Sequence, residues 1–437
     1  MTQVGRKSVV AVCQMTSTHD VEKNLETAAT LIGRACARGA QMVFLPECFD
    51  FVGRSREESF QLSTSAEGDT VQRYRNLAKE HSVWLSLGGL HEKDGKQPDN
   101  KVYNCHLILN ESGQTVAKYR KLHLFNVDIP GKVRLMESEF SKAGSALVRP
   151  VRTPVGSVGM GICYDLRFAE FSLWLRDQGA HILTYPSAFT LNTGLAHWEC
   201  LLRARAIETQ CYVLAAAQTG RHNEKRTSYG HAMIVDPWGT VVSQCREDVD
   251  VCVAEIDLEY LEQVRQRLPC HKHRRRDIYQ ISNTSAAQTT PSEAEFQFGS
   301  HKIPGHSVFY VSDLSYAFVN RKPVVKGHVL VAPIRQAKKF VDLSQSEVSD
   351  LFNCVQKIQA ALEKFYEVDS STVSLQDGPL AGQTVDHVHV HILPRRKGDF
   401  DQNDDIYREL EQHDKVEGNY RNQEEMASEA LTFRELL

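Results

Sequence analysis

His387-Val-His-Val-His-Ile-Leu-Pro394 is the stretch on which the reading of this chain's second half turns. Extended backbone points alternate side chains to one face, so His387, His389 and His391 share a face and Val388, Val390 and Ile392 the opposite one. Neighbouring imidazoles on such a strand stand about 6.5–7 Å apart. Upstream, Gln376-Asp-Gly378 and Gly382-Gln-Thr-Val385 combine glycines with polar residues, as suits a loop whose amides approach phosphate oxygens. Two chemistries fit the pattern. Imidazoles beside a phosphate-binding loop suit phosphoryl transfer, whereas two histidines one residue apart on a strand can also bind zinc.

Around this stretch, Ser315-Tyr-Ala-Phe-Val319, Gly327-His-Val-Leu-Val-Ala332 and Thr372-Val-Ser-Leu375 are strand-like, and 346–366 reads as one long helix. Strands that do not alternate regularly with helices predict an α+β unit with a mostly antiparallel sheet. The last forty residues are charge-dense and predict a mobile segment followed by a short final helix. Residues 281–295, rich in Ser, Thr and Ala with one aliphatic side chain, cannot bury enough surface to offset their conformational entropy and read as a linker. The domains are therefore 6–280 and 296–437. A basic run at 271–276 reads as a solvated helix end or hinge, with a nuclear signal as the other reading.

The first part alternates β-branched runs with amphipathic stretches. Ser8-Val-Val-Ala-Val-Cys13, Gln41-Met-Val-Phe-Leu45, Val83-Trp-Leu-Ser-Leu87, Ser157-Val-Gly-Met-Gly-Ile-Cys163, His181-Ile-Leu-Thr-Tyr185 and Cys211-Tyr-Val-Leu-Ala215 read as strands. Helical spacing of apolar residues covers 21–37 and 199–209. That is an α/β arrangement with helices covering sheets.

Fifty-one basic against fifty-five acidic residues give a net charge of −4, which argues against nucleic acid or an anionic membrane as the main partner. The longest apolar runs fall far short of the roughly 20 residues a bilayer span needs. Eleven cysteines, without any Cys-x-x-Cys pair, read as reduced thiols in a cytoplasmic protein.

Three residues of the first part stand out by position. Cys163 ends a strand of small residues and enters a turn, where a thiol is exposed and backbone N–H groups lie close by. Glu47 ends another strand, behind Pro46, which removes a ladder donor. Lys121 lies among apolar neighbours in Tyr119-Arg-Lys-Leu-His-Leu-Phe125. Together Glu47, Lys121 and Cys163, within Leu45-Pro-Glu47, Arg120-Lys-Leu-His123 and Cys163-Tyr-Asp-Leu-Arg167, resemble the Glu-Lys-Cys signature of the nitrilase superfamily. Pro186-Ser-Ala-Phe189 and the block from His231 to Asp236-Pro-Trp-Gly239 resemble it too, and the likeness runs from about residue 8 to 280.

The resemblance implies a four-layer αββα sandwich and hydrolysis of a non-peptide carbon–nitrogen bond, an amide in preference to a nitrile. It implies that Glu47 is the base, Cys163 the nucleophile that forms a thioester, and that Lys121 with the Tyr164 N–H holds the oxyanion. Glu137 matches a further family glutamate, with Glu139 two residues on as the alternative.

The second part is similar to the histidine triad superfamily, and within it to the fragile histidine triad branch. Asn320-Arg-Lys-Pro323, Gly327-His-Val-Leu-Val-Ala-Pro333 and Ile406-Tyr407 carry the same likeness. That branch hydrolyses diadenosine triphosphate to AMP and ADP. The resemblance implies that His389 attacks the α-phosphorus, that His387 orients it, and that His391 and His328 donate to phosphate. It places Gln376, Gly382, Gln383, Thr384 and Val385 at the phosphates, Asn320 at the ribose and His301 at the nucleotide's other side. No tightly bound cofactor or protein-held metal follows, only a divalent cation, Mg or Mn, arriving with the nucleotide. The order of the two parts resembles the known invertebrate fusion of these families, and two pairing surfaces in one chain would close as a homotetramer. A reading from another class keeps the second part as a nucleotide-bound signalling module with the first part as its scaffold.

Overall fold

A computed structural model of the chain describes residues 7–93, 95, 101–129, 133–275, 278–279, 295–413, 418 and 420–437. The chain divides into two compact units, Met1–Arg275 and Arg276–Leu437. Residues 281–294 of the expected linker lie outside the described residues.

In the first unit, strand Ser8–Met15 pairs in parallel with Met42–Leu45, which pairs in parallel with Trp84–Glu92. The antiparallel strands Val102–Leu109 and Thr115–Arg120 extend this sheet on one side, and with Ala217–Arg221, Thr227–Tyr229, Asp250–Ile256 and Ser141–Lys142 it has nine strands among the described residues. A second, six-stranded sheet is built on Gly156–Met160, Ile182–Thr184 and Tyr212–Ala215, again parallel. The alternation within Ser8–Met15 explains the layering. Val10 and Val12 pack toward the second sheet with Val158 and Val213, while Ala11 and Cys13 pack against helices Val21–Ala37 and Asp69–His81. Helices Ala169–Asp177 and Leu191–Thr209 cover the far face of the second sheet through Phe171, Leu175, Trp198 and Leu202. The result is the αββα sandwich.

The helix expected over 199–209 begins eight residues earlier, at Leu191. Thr190 caps it by accepting from the Thr193 N–H, and the exposed Leu191 and Leu195 hide the start from an apolar-periodicity reading. Among the described residues of the basic run, 271–275, none is helical. Helix Leu258–Arg267 stops before it, and His271 pairs with Asp177 at 3.0 Å.

The second unit is a five-stranded antiparallel sheet, with strands Ser315–Val319, Val329–Pro333 and Val390–Pro394 adjacent at its centre. Helix Gln345–Tyr366, capped by a reciprocal Ser344–Glu347 pair, packs Leu351, Val355, Ile358 and Leu362 on one face. The end of the chain carries the expected final helix, and a further helix stands within the stretch expected to be mobile. Helix Gln423–Leu436 buries Ala430 and Phe433 in the same core, and Asp405–His413 buries Ile406 and Leu410 beside Leu393. Charge density concealed one apolar stripe on each helix. No helix among the described residues is long and apolar enough to cross a membrane.

Candidate active sites

In the first unit three strand ends meet. Glu47 follows strand Met42–Leu45, Lys121 follows Thr115–Arg120, and Cys163 opens a short 3-10 helix three residues after the end of Gly156–Met160. Cys163 has φ +44, a left-handed conformation costly for a residue with a Cβ, and it persists because its surroundings fix it. Its N–H donates to the Pro186 carbonyl at 2.9 Å. The buried Asp165 carboxylate accepts from the Ile162 N–H at 2.9 Å, from Tyr119 Oη at 2.8 Å and from the His123 N–H at 3.2 Å, with His123 Nδ1 at 2.7 Å. The thiol is half-buried and not openly exposed as the strand-tip argument expected.

Lys121 and Glu47 are only 2% and 4% exposed, so they interact at close range in a medium that screens little. Lys121 Nζ lies 3.2 Å from Glu47 Oε1 and 2.9 Å from Glu137 Oε2. Glu47 Oε1 also accepts from Asn104 Nδ2, and Glu47 Oε2 from the Ala188 N–H, both at 2.9 Å. Of the two candidate glutamates, Glu137 reaches the lysine and Glu139 pairs with Arg134 and Arg56. Gly89 permits the approach of the next strand, because a Cβ there, at φ +85, would sit 2.7 Å from Glu47 Cα.

The charges settle one resting state. Burial works against the Lys121 ammonium, but Glu137 and Glu47 hold its pKa well above the ordinary lysine value. Burial pushes the Glu47 carboxyl up, yet Lys121 and Arg226 outweigh it and hold the group below the usual carboxylate range. Burial and the facing Glu47 carboxylate together push the Cys163 thiol well up, with Lys121 pulling the other way. At neutral pH the site therefore rests as carboxylate, ammonium and thiol, with Glu47 the charged group that acts most strongly on the Cys163 thiol. The carboxylate stands where it can take the thiol proton when an electrophile arrives. Asn104, the Ala188 N–H and Arg226 were not singled out in the sequence. Only the neighbouring Pro186-Ser-Ala-Phe189 block gave any sign of one of them.

In the second unit the strand expected from His387 begins at Val390. Val388, Val390 and Ile392 do join the helix-side core, while His389 and His391 look into a cavity of about 870 Å³ on the other side. The two rings are 4.9 Å apart between centroids, closer than strand spacing requires, because His389 precedes the regular strand. His389 Nδ1 lies 2.7 Å from the His387 carbonyl oxygen. A carbonyl only accepts, so Nδ1 carries the proton and Nε2 keeps its lone pair. It is thus the backbone of His387 that orients His389. The His387 ring stands elsewhere, with Nε2 2.8 Å from the Pro333 carbonyl and Nδ1 accepting from the Gly299 N–H at 3.2 Å. Burial holds its pKa below the ordinary histidine value.

His328 is fully buried behind His391, with Nε2 2.9 Å from His391 Nδ1. Its Nδ1 accepts from the Val324 N–H at 3.2 Å, which puts the His328 proton on Nε2, toward His391. The cavity is also lined by His301, Asn320, Thr384 and Val385. Gln376, Gly382 and Gln383 do not line it. Gln383 spends its amide inside the loop, donating to the Lys338 and Val385 carbonyls and accepting from the Gly378 N–H at 2.7 Å. Gly382, at φ +90, leaves room for Gln376, whose Nε2 would meet a Cβ at 2.7 Å. Tyr420, Arg421 and Asn422 close the cavity from the chain's last segment, Arg421 through bonds to the Asn320 carbonyl. That segment gave no sequence signal of a site. Among the described residues no three His, Cys, Asp or Glu side chains are placed to hold a metal ion.

Comparison with known proteins agrees with this division. The carbon-nitrogen hydrolase family matches residues 9–266 and the HIT domain family residues 302–398. The Caenorhabditis elegans nitrilase and fragile histidine triad fusion protein NitFhit is 53% identical over 437 residues, covering 100% of this chain and 98% of that protein. The crystal structure of the C. elegans NitFhit protein superposes with a TM-score of 0.89 at 51% identity, over 100% of both chains. The mouse deaminated glutathione amidase is 55% identical over 272 residues, 62% of this chain and 84% of the amidase.

Proposed function

The chain belongs to the family of nitrilase and fragile histidine triad fusion proteins, and on that premise we propose that it is a bifunctional hydrolase with one nucleophile in each unit. The first unit hydrolyses a small amide of the deaminated glutathione kind. Glu47 takes the Cys163 proton as sulfur attacks the carbonyl, and the tetrahedral oxyanion is held by Lys121 and the Tyr164 N–H, each such donor contributing roughly 3–4 kcal/mol. The amine leaves with a proton returned by Glu47. Water, activated by the same carboxylate, then cleaves the thioester. Glu137 keeps Lys121 charged and aimed.

The second unit cleaves diadenosine triphosphate to AMP and ADP. His389 Nε2 attacks the α-phosphorus, ADP departs, and water releases AMP from the nucleotidyl-histidine. His391, backed by His328, donates to a phosphate oxygen, and the Thr384–Val385 backbone lies along the phosphates. A divalent ion is assigned to the triphosphate itself, which offers it phosphate oxygens. We further assign the protein to the cytoplasm, in keeping with its free cysteines, and to a homotetramer through one pairing surface on each unit.

One observation carries this reading. Each unit sets its nucleophile beside a fixed group: the His387 carbonyl holds the His389 Nδ1 proton, and the Glu47 carboxylate, itself held by Lys121, Asn104 and the Ala188 N–H, acts electrostatically on Cys163. Assay of the purified full chain with diadenosine triphosphate and with small amides tests it. Cys163→Ala should abolish only amide turnover and His389→Asn only AMP formation; activity surviving either change would remove that nucleophile from the mechanism.

A further inference from the structure

Arg421 closes one wall of the second unit's cavity from the chain's last segment and takes no part in the chemistry above. Helix Gln423–Leu436 gives it a rigid base. Asn422 caps that helix, accepting from the Glu425 N–H at 2.8 Å while its own N–H donates to Glu425 Oε2 at 2.9 Å. Ala430 and Phe433 lie in the core, and Arg434 Nε donates to the Val308 carbonyl at 3.0 Å. From this support two consecutive residues grip the chain where strand Ser315–Val319 ends. The Arg421 N–H donates to the Arg321 carbonyl at 2.9 Å, and its guanidinium donates to the Asn320 carbonyl through Nη2 and through Nε at 3.1 Å. The Arg321 guanidinium in turn lies 4.3 Å from the centre of the Tyr420 ring.

Two features tie this grip to the cavity. Arg421 Nη1 pairs with Glu429 Oε2 at 2.8 Å, the side chains being 19% and 18% exposed. That carboxylate offsets the cost of desolvating the guanidinium and leaves its other donors aimed at one carbonyl. Asn320, the residue so held, is 4% exposed and lines the cavity. Its Oδ1 has two acceptor positions, and the Lys322 N–H takes one at 2.9 Å. Its Nδ2 stands 3.3 Å from Nε2 of His328, the imidazole behind His391. A main-chain shift at Asn320 therefore moves a polar amide in the cavity wall. The His389 tautomer, set at the His387 carbonyl, does not depend on it.

We propose that Arg421 is a positioning residue of the nucleotide site, holding the Asn320 amide against the ribose hydroxyls and so making the C-terminal helix part of the affinity for nucleotide. The inference rests on the nucleotide reading of the second unit, in which Asn320 meets the ribose, and adds a group outside the histidine and phosphate segments. A tail that only covers the core affects every ligand of the cavity alike. An arginine acting through Asn320 affects ligands that carry the hydroxyls.

AMP and dideoxyadenosine monophosphate, which lacks both ribose hydroxyls, are the probes. Each is titrated calorimetrically into the full chain, and AMP formation from diadenosine triphosphate is measured in parallel. The unaltered chain should bind AMP about tenfold more tightly than the dideoxy nucleotide, the scale of one good hydrogen bond. Arg421→Met should bring the two affinities within about threefold of each other by weakening AMP, with the dideoxy nucleotide little changed. Arg421→Lys keeps a charge beside Glu429 without the planar fork and should fall between. In turnover of diadenosine triphosphate the loss should fall on KM more than on kcat. Equal weakening of both nucleotides by Arg421→Met would assign the arginine to the wall alone and overturn the proposal. So would a preference that survives the substitution, or none in the unaltered chain. Should Arg421→Met fail to fold, Arg421→Lys decides by the same criterion. Hydroxyl-dependent binding that is lost in Arg421→Met, without AMP formation by the unaltered chain, would sink the hydrolytic reading and leave the positioning role standing. AMP formation by a chain that shows no such preference would do the reverse.

Discussion

His389 donates from Nδ1 to the carbonyl oxygen of His387 across 2.7 Å, so a main-chain atom two residues away selects the nitrogen that can act as a nucleophile. Side-chain substitution at 387 leaves that acceptor in place. What it removes is the ring that accepts from Gly299 and bonds Pro333. His387→Asn is therefore expected to lower AMP formation less than His389→Asn, which should cost at least about a thousandfold, as loss of a covalent nucleophile does. Initial rates of AMP release from diadenosine triphosphate check both.

Glu47 should set the acid limb of the amidase. Its pKa is held below the ordinary 4.5 in the folded chain, so the base stays ionised through pH 4.5 and kcat/KM should fall only at lower pH. The same shift makes Glu47 a source of stability that is present above its unfolded value and lost as pH falls through the folded one. Replacement by Gln should lower amide turnover by on the order of 10²–10⁴ at every pH. A pH–rate profile of amide hydrolysis measures both features.

Removing Glu137 leaves the Lys121 ammonium, 2% exposed, with Glu47 as its one remaining carboxylate partner among the described residues. Glu137→Ala is expected to destabilise the first unit by roughly 3 kcal/mol, the usual cost of breaking a buried pair from one side. The stability that Lys121 contributes through its raised pKa is present below 10.5 and is lost as pH rises through the folded value. Urea melts at neutral and high pH test the size and the sign.

The second unit carries its own acid-sensitive link. The Arg335 guanidinium holds the Glu347 carboxyl at about 2, with the Ser344 cap adding to the effect. That stability is complete above 4.5 and disappears as pH falls toward 2. In Glu347→Gln the acid limb of a thermal melt should be flatter than in the unaltered chain.

How far the sequence could be read depended on whether a residue's job left a local pattern. Alternation located Ser8–Met15 and Ser315–Val319 because one face of each is apolar throughout. It missed Val102–Leu109, where the inward positions include Asn104, which holds Glu47, and His106, which lies 2.7 Å from Ser86 Oγ. Buried polar residues that serve the site break the period that identifies a strand. The nucleophiles were legible because short phrases carry them. Asn104, Arg226 and Arg421 were not, since a strand amide, a turn arginine and a tail arginine have no signature apart from the fold that brings them in.

The central claim, two independent covalent nucleophiles in one chain, is tested most directly by trapping their adducts. The full chain is quenched during turnover of diadenosine triphosphate and of an amide, digested, and mapped by mass spectrometry. The account predicts a nucleotidyl group on the His389 peptide that persists in Cys163→Ala, and an acyl group on the Cys163 peptide that persists in His389→Asn. An adduct on any other residue, or one substitution abolishing both, would contradict it.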